Sequence, residues 1–164
     1  MILETERLRL RPADRARMEA AIAAETDPEM IKAYGEMLEG CLAHPDQWAW
    51  YAMWIVALKD GTPIGDLCFK GLPETGVPEI GYGLQENYWG RGYATEAVRA
   101  ALAWAFRHPE VRAVEAETDP DNKVSQRVLA KCGFAPNGTA GEEGPRFTAT
   151  RQGFLQSKTN CCEP

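Results

Sequence analysis

The sequence predicts a mixed α/β (α+β) domain, in which a mostly antiparallel central sheet of six to seven strands is flanked by helices. Segments with strand-like alternation and segments with apolar residues three and four apart follow one another in the order β-α-α-β-β-β-α-β-α-β-β. Three hairpin-connected strands followed by a β-α-β crossover require a mixed sheet covered by helices. The 164 residues, of which 45% are hydrophobic, suit one such domain with one core.

The first third of the chain predicts one strand and two helices. Residues 7–11 alternate arginine with leucine, which is typical of a half-buried strand, and Pro12 ends the alternation. Asp14 follows as a helix-capping residue, and apolar residues then recur at helical spacing. Asp27 caps a second, longer helix that begins with proline, where the missing N–H costs nothing.

Three strands are predicted in the middle of the chain. Residues 54–58 and 64–70 are joined through Asp60-Gly61, a pair that accepts the positive φ angles of a hairpin turn. Another strand covers residues 79–84, after a loop rich in glycine and proline. These three strands form the antiparallel part of the predicted sheet.

The second half of the chain alternates helices and strands. A helix over residues 92–107 has an alanine-rich face suited to close packing on a sheet. A strand at 113–118 and a helix from about 123 to 131 follow, and Gly133 supplies the left-handed residue that commonly ends a helix. Phe134 opens the next strand.

The end of the chain predicts the boundary of the domain. A last short strand is expected at 146–150, after a glycine-rich loop at 137–145. No linker divides the chain, so residues 1–151 are predicted to form a single domain. Residues 152–164 are polar and are predicted to form a flexible tail.

Composition and charge narrow the classes of function. With 24 acidic against 18 basic residues the net charge is −6, which disfavours nucleic acid as a partner. The longest apolar run, residues 48–58, is about half the ~20 residues that a membrane helix needs, so no membrane span is expected. The acidic first residues do not resemble an export signal. We therefore expect a cytoplasmic protein.

Cysteine and histidine usage argues against disulfide and metal chemistry. Five cysteines, an odd number without a C-x-x-C pair, indicate a reduced protein, with Cys161 and Cys162 as exposed thiols of the tail. The only histidines are His44 and His108, and each stands next to a proline. We predict no metal site and no histidine-based catalytic triad.

The segment between the strand at 79–84 and the following helix predicts an anion site. Gly90 and Gly92 let the backbone turn tightly and bring its N–H groups close to a ligand. The N–H groups of a first helical turn lack internal partners and lie at the positive end of the helix dipole. Arg91 adds a formal charge, so phosphate is the expected ligand. The alternative is that the two glycines only end a loop and begin a helix.

Six segments, taken in order, carry a resemblance to a known family. They are residues 5–11, 61–66, 79–82, 89–97, 122–134 and 144–147. With these segments the chain resembles the GCN5-related N-acetyltransferase (GNAT) superfamily, and within it the branch that acetylates N-terminal amines of ribosomal proteins. The resemblance implies a fold in which two neighbouring parallel strands splay apart.

The resemblance also implies that acetyl-coenzyme A binds between the splayed strands. The diphosphate would lie on the loop and first helical turn, the pantetheine arm along the strand end, and an amide side chain would face that arm. The implied cofactor-binding residues are Leu84, Gln85, Gly90, Arg91, Gly92, Tyr93, Ala94, Thr95 and Asn122. Backbone N–H groups near Leu84 would hold the thioester oxygen.

Acetyl transfer to a primary amine by direct attack in a ternary complex requires a base. A lysine-type amine is almost wholly charged at pH 7, so a carboxylate must accept its proton, directly or through water. Glu79 is the first candidate, at the start of the strand expected beside the thioester. Asp66 on the adjacent strand is the second and is also expected to contact the substrate, and Glu115 and Glu117 are remoter candidates.

The remaining site predictions concern the leaving thiolate and the acceptor. The family branch suggests Ser125 as the general acid, although this serine could simply stabilise the start of its helix. In the aromatic cluster before the strand at 54–58, Trp48 or Trp50 is expected to contact the acceptor, whereas Trp54 is expected in the core. The acceptor is left open between a protein N-terminal amine and a small-molecule amine.

Two other functions fit parts of the sequence. Gly90-Arg91-Gly92 between strand and helix, with Glu115 about 20 residues on, also suits a Rossmann-type dinucleotide site, but repeated β-α-β units are missing. A non-catalytic relative that binds acyl-coenzyme A and regulates a partner would carry the same cofactor residues. The sequence leaves monomer and homodimer equally open.

Overall fold

Eight strands and six helices make up residues 1–160, the part of the chain that the computed structural model describes. The strands are β1 (Leu3–Glu4), β2 (Leu8–Pro12), β3 (Met53–Leu58), β4 (Pro63–Phe69), β5 (Ile80–Leu84), β6 (Ala113–Glu117), β7 (Ala135–Ala140) and β8 (Pro145–Thr150). The helices are α1 (Arg15–Ala24), α2 (Pro28–Ala43), α3 (Trp48–Tyr51), α4 (Tyr93–Ala105), α5 (Lys123–Lys131) and α6 (Arg151–Asn160). Short 3₁₀ turns occupy Pro45–Gln47 and Glu86–Tyr88.

The strands form two antiparallel sheets, one with the order β1-β2-β3-β4-β5 and the other with the order β6-β8-β7. Helices cover them, so the predicted mixed α/β fold class is confirmed. The four strand pairs of the larger sheet are all antiparallel, which excludes the repeated parallel units of a Rossmann-type site.

The two sheets meet at one parallel bridge, between Glu79 and Glu115. There the Glu115 N–H donates to the carbonyl oxygen of Pro78 at 2.9 Å. Beyond this point β5 and β6 form no further bridge within the described residues, so they diverge and leave a gap between them. This is the splayed parallel pair that the resemblance implied.

The register of β5 determines which backbone groups face the gap. The Glu79 carbonyl accepts from Lys70 and the Gln85 N–H donates to Ile64, so odd-numbered residues of β5 bond to β4. Because bonding direction alternates along an antiparallel strand, the N–H groups of Tyr82 and Leu84 face the gap. The gap therefore contains main-chain donors that the sheet does not use.

The core lies where α4 packs on the larger sheet. Small and branched residues of α4 are almost fully buried: Ala97, Val98, Ala101 and Leu102. Trp54 of β3 is fully buried, as predicted, and its ring packs edge-on against Trp104 at a centroid distance of 5.0 Å. Burying each of the larger of these side chains stabilises the fold by roughly 2–3 kcal/mol. The helix α4 and the loop before it are therefore anchored on a stable core.

The predicted helix caps are present and fix where α1 and α2 begin. The Asp14 carboxylate accepts from the Arg17 N–H at 2.8 Å, and the Asp27 carboxylate accepts from Glu29 at 3.0 Å. Each cap is worth about 1 kcal/mol. None of the helices within residues 1–160 has the length and apolar character needed to cross a bilayer.

The end of the chain differs from the prediction of a flexible tail after residue 151. Residues 151–160 form α6, in which Phe154 is only 2% exposed and packs on Phe106 at a ring-centroid distance of 5.5 Å. Arg151 also donates to the carbonyl oxygen of Val111 at 2.8 Å. The polar composition hid this anchoring, because one aromatic residue and one arginine supply most of it. Cys161 and Cys162 lie outside the described residues.

Strand β7 is also longer than predicted. It runs to Ala140, where a glycine-rich loop had been expected from residue 137, because Gly138 adopts a positive φ of 80° inside the irregular β7–β8 pairing. The loop between β7 and β8 is therefore short, at residues 141–144.

Candidate active site

The loop before α4 presents unpaired backbone N–H groups. Gly90 and Gly92 have positive φ angles of 72° and 81°, and Gly92 is the N-cap without a side-chain cap bond. The first intrahelical bond is donated by Glu96 to Gly92, so the N–H groups of residues 93–95 have no partner inside the helix. Together with the helix dipole they form a site suited to an anion such as a diphosphate.

These N–H groups border the larger of two neighbouring cavities, of about 680 Å³. This cavity, here called the cofactor cavity, lies between the loop, the end of β5 and α5. Its lining residues are Tyr82, Gly83, Leu84, Tyr88, Trp89, Gly90, Gly92, Tyr93, Ala94, Thr95, Asn122, Val124, Ser125, Arg127, Val128 and Lys131. Seven of the nine predicted cofactor-binding residues are in this set.

The other two, Gln85 and Arg91, are not among these lining residues. The Gln85 N–H bonds to the Ile64 carbonyl at 2.8 Å, so this backbone donor is used by β4. The Arg91 side chain is exposed, with its guanidinium carbon 6.0 Å from the ring centre of Tyr88, and its carbonyl oxygen accepts a bond from Arg7 at 2.9 Å.

Sequence reasoning missed two further cationic residues that line this cavity, Arg127 and Lys131, which stand one turn apart on α5. Their spacing of four residues was the available signal in the sequence.

A smaller cavity of about 330 Å³, here called the acceptor cavity, lies across the sheet from α2 to the gap between β5 and β6. Its lining residues are Met30, Tyr34, Met37, Met53, Asp66, Leu67, Cys68, Lys70, Glu79, Ile80, Gly81, Tyr82, Gly83, Ala116, Glu117, Ser125, Leu129 and Glu143. Three residues, Tyr82, Gly83 and Ser125, line both cavities. The two cavities therefore border each other at the splayed strands.

A hydrogen bond between side chains spans this shared boundary. The Tyr82 hydroxyl lies 2.8 Å from Oγ of Ser125. Burial raises the pKa of Tyr82 to about 12, although its bond to Ser125 acts in the opposite direction. Sequence reasoning missed Tyr82. Tyr82 lies two residues before Leu84, so its backbone groups face the gap as those of Leu84 do, and this spacing could have identified it.

The start of α5 explains how Ser125 is held. The Asn122 side-chain oxygen accepts from the Ser125 N–H at 3.0 Å and caps the helix. The side chain that stabilises this helix start is thus that of Asn122. The Ser125 hydroxyl is directed to Tyr82 and the boundary of the cavities.

The predicted carboxylates differ in how they are paired. Glu79 contacts Lys70 and lies 2.8 Å from Nη2 of Arg146. The same arginine binds Glu115 at 2.7 Å and Glu117 at 3.0 Å. Each of these three glutamates is ion-paired, but they share two cationic partners, so the cluster keeps one net negative charge.

Asp66 is half-buried on β4, directly opposite Gly83 of β5. Within residues 1–160 its carboxylate makes no ion pair. Burial raises its pKa above the ordinary value for aspartate. A carboxylate with a raised pKa beside the shared boundary accepts a proton more readily than an ordinary aspartate.

The two tryptophans predicted to contact the acceptor do not line either cavity of the described structure. Trp50 is 3% exposed and packs against Trp104 at a ring-centroid distance of 4.4 Å. Trp48 donates its indole N–H to the Ala13 carbonyl at 2.8 Å. Both rings are used in packing, so these positions do not support acceptor contact by Trp48 or Trp50, and it is α2 that lines the smaller cavity.

Known proteins resemble this chain over most of its length. Residues 7–135 match the sequence model of the acetyltransferase (GNAT) domain family. The uncharacterized N-acetyltransferase YjdG of Bacillus subtilis (strain 168) is 30% identical over 160 residues, covering 87% of this chain and 94% of that protein. The solved acetyltransferase of Agrobacterium tumefaciens str. C58 superposes with a TM-score of 0.72 at 24% identity, covering 92% of this chain and 95% of its own.

The ribosomal L7/L12 alpha-N-protein acetyltransferase RimL superposes with a TM-score of 0.71 at 19% identity, covering 92% of this chain and 94% of its own. At such identities the two solved structures show the fold alone. The match to the family model over residues 7–135 and the 30% identity to YjdG over most of both chains also show the family. This chain belongs to the GNAT acetyltransferase family and is an N-acetyltransferase.

Proposed function

We propose that this N-acetyltransferase moves the acetyl group of acetyl-CoA onto a primary amine by direct attack in a ternary complex. The observation that carries the proposal is that the cofactor and acceptor cavities share Tyr82, Gly83 and Ser125. Donor and acceptor can thus meet at one boundary without a covalent enzyme intermediate.

The cofactor cavity supplies groups for the diphosphate and for the thioester of acetyl-CoA. The N–H groups of residues 93–95 suit the diphosphate, and Arg127 and Lys131 add positive charge on the facing wall. The Leu84 carbonyl already accepts the Trp89 indole N–H at 2.8 Å, so this strand end is held in place. The N–H groups of Tyr82 and Leu84 face the gap and are our candidates to polarise the thioester carbonyl.

We assign the proton acceptor to Asp66 in preference to Glu79. Glu79 lies at the bridge where β5 and β6 still touch, and Lys70 and Arg146 hold its carboxylate. Asp66 lies opposite Gly83, which lines both cavities, it makes no ion pair among residues 1–160, and burial raises its pKa, which favours proton acceptance.

The proton balance follows from these roles. The ammonium form of the acceptor loses one proton to Asp66 and becomes a nucleophile. Its nitrogen forms a bond to the acetyl carbon while the carbon–sulfur bond breaks. The second amine proton leaves for solvent, and the departing thiolate takes a proton from Ser125, which Tyr82 orients through their 2.8 Å bond. Ser125 then regains a proton from solvent and Asp66 releases its own to solvent, so each turnover releases one proton overall.

Steady-state kinetics tests the ternary complex. Initial rates with both acetyl-CoA and the amine varied should give intersecting double-reciprocal lines. Parallel lines, the sign of a ping-pong reaction through an acetyl-enzyme, would overturn the proposed mechanism. Tight binding of acetyl-CoA without acetylation of any amine would favour the regulatory alternative.

A matched pair of glycine variants tests the cofactor loop. Gly90 and Gly138 both have positive φ and open space where a Cβ would lie, so Gly90→Ala and Gly138→Ala impose comparable backbone strain. Calorimetric titration with CoA should show affinity reduced at least about tenfold for Gly90→Ala, because backbone donors to a charged group are displaced. Gly138→Ala should bind CoA like the wild type.

A further inference from the structure

One side of the acceptor cavity is apolar and belongs mainly to α2. Met30, Tyr34 and Met37 lie four and three residues apart, so they form one stripe of that helix, and Met53 of β3 adjoins them. Met30 is 38% exposed, although methionine usually packs inside. Flexible, polarizable methionine side chains adapt well to apolar ligands of varied shape.

The floor of the cavity is bare because two glycines of β5 face it. Gly81 pairs with Cys68, and Gly83 pairs with Asp66, so each glycine adds no side chain beside its neighbour. A Cβ at Gly83 would meet no atom within 4 Å. The open floor leads from the apolar stripe of α2 to the boundary with the cofactor cavity.

Two carboxylates of the cavity lining make no ion pair among residues 1–160, and they differ in burial. Glu79 and Glu117 are held by Lys70 and Arg146, and the Glu117 carboxylate also accepts the Glu143 N–H at 3.0 Å. The two unpaired carboxylates are those of Asp66, which is half-buried, and Glu143, which is exposed. Asp66 is therefore the better shielded partner for a cation.

We infer that the acceptor is a primary monoamine with an apolar carbon skeleton, whose ammonium group pairs with Asp66 and whose skeleton packs on Met30, Tyr34 and Met37. This inference rests on the proposed function and narrows its acceptor. A second ammonium lying against the methionine stripe would meet no carboxylate among the lining residues of α2, and the other unpaired lining carboxylate, Glu143, is exposed to water, which weakens an ion pair. A free amine and the first residue of a peptide offer the same chemistry.

Two nearly isosteric amines test the inference. Hexylamine and 1,5-diaminopentane have the same chain length, and differ in one terminal methyl replaced by ammonium. With saturating acetyl-CoA and product detected by mass spectrometry, kcat/KM for hexylamine should exceed that for 1,5-diaminopentane at least about tenfold. A tripeptide beginning with phenylalanine, run alongside, distinguishes a peptide source from a free amine, and spermidine serves as a polycationic comparison.

Two variants of α2 test the role of the methionine stripe. Met30→Glu places a carboxylate on the stripe. The ratio of kcat/KM for hexylamine to kcat/KM for 1,5-diaminopentane should then fall roughly threefold to fivefold, as expected for a partly exposed ion pair. Leu42→Glu is the matched control, because Leu42 is 47% exposed on the same helix and lines neither cavity. Its amine preference should equal that of the wild type.

The outcomes separate the inference from the proposed function. Preference for hexylamine or the apolar tripeptide, reduced in Met30→Glu alone, supports the inference. Equal or better acetylation of 1,5-diaminopentane or spermidine overturns it and leaves the proposed function standing. Binding of CoA without acetylation of any amine overturns both.

Discussion

Nε of Arg7 lies 2.8 Å from one carboxylate oxygen of Glu96, and the Arg7 backbone N–H donates to the other oxygen at 2.9 Å. Burial opposes ionisation of Glu96, but the hydrogen bonds from the Arg7 backbone and side chain outweigh it and lower the pKa. Arg7 also donates to the Arg91 carbonyl at 2.9 Å and lies 4.3 Å from the centre of the Tyr93 ring. The residue before β2 thus fixes the anion loop and the first turn of α4.

Arg7→Ala should weaken binding of acetyl-CoA through its diphosphate and leave the use of a donor without a diphosphate nearly unchanged. Without the guanidinium the loop loses its bond at the Arg91 carbonyl, so the N–H groups of residues 93–95 are less well oriented. KM for acetyl-CoA should rise about tenfold, in line with the loss of charge-assisted hydrogen bonds. Acetyl-pantetheine lacks the diphosphate, and its kcat/KM should change less than about twofold.

The control for this prediction is Arg9→Ala. Arg9 lies two residues further along the chain and pairs with Glu4 at 3.0 Å, where both side chains are about half exposed. This pair does not touch the loop, so the kinetic constants for acetyl-CoA and for acetyl-pantetheine should equal those of the wild type. Equal losses with acetyl-CoA and acetyl-pantetheine in Arg7→Ala would show a merely structural role.

Ser125→Ala and Tyr82→Phe should lower kcat through one shared interaction. Loss of a positioned proton donor costs about 10²-fold or more, and the two hydroxyls share a single 2.8 Å bond. The double variant should therefore lose much less than the product of the two single losses. CoA affinity, measured by calorimetry, should stay near the wild-type value in both single variants. Independent, multiplicative losses would contradict a coupled pair.

Ser157→Ala is the matched control for the serine substitution. Its hydroxyl donates to the Phe154 carbonyl at 2.7 Å inside α6, away from both cavities. The change should leave kcat and CoA affinity unaltered. A loss there equal to that in Ser125→Ala would point to general destabilisation.

The parts of the site that could be predicted from the sequence are those fixed by local geometry. Gly90, Gly92 and the start of α4 lie within a few residues of each other, so spacing alone indicates the anion loop. The family resemblance placed Asn122 across the cleft from this loop, and Asn122 does line the same cavity, while its contact with the pantetheine arm stays a prediction.

The parts that could not be predicted depend on contacts distant in the sequence. Tyr82 and Ser125 are 43 residues apart and meet only because β5 and α5 border the same gap. That α2, and not Trp50, lines the smaller cavity depends on which ring packs on Trp104, which periodicity does not specify. The preference for Asp66 over Glu79 likewise needed the positions of Lys70 and Arg146.

Asp66→Asn should raise the thermal stability of the protein and lower its activity. Burial raises the folded-state pKa of Asp66 above that of the unfolded chain, so the ionised carboxylate destabilises the fold as pH rises through the folded-state pKa. Asparagine removes this charge, so the variant should have a higher Tm than the wild type at pH 7.5. At about pH 3 and below, where Asp66 is mostly protonated in both the folded and the unfolded state, the difference should vanish. kcat/KM for the amine should fall about 10²-fold.

Glu79→Gln provides the contrast to Asp66→Asn. It removes the charge that pairs with Lys70 and Arg146, so Tm at pH 7.5 should fall while kcat/KM changes less than about fivefold. Thermal denaturation and amine kinetics on both variants decide the assignment. A 10²-fold loss in Glu79→Gln with near-normal activity in Asp66→Asn would make Glu79 the base.

Gly83→Val should shorten the acceptor cavity without disturbing the fold. Its φ is not in the left-handed region, a Cβ there meets no atom within 4 Å, and valine suits a strand. Because Gly83 pairs with Asp66, the new side chain would lie on the open floor, and hexylamine should lose at least about tenfold in kcat/KM while ethylamine loses less than about threefold. Gly35→Ala on α2, also with open space, is the control for an added methyl group. Equal losses for both amines would mean that acceptors do not lie on this floor.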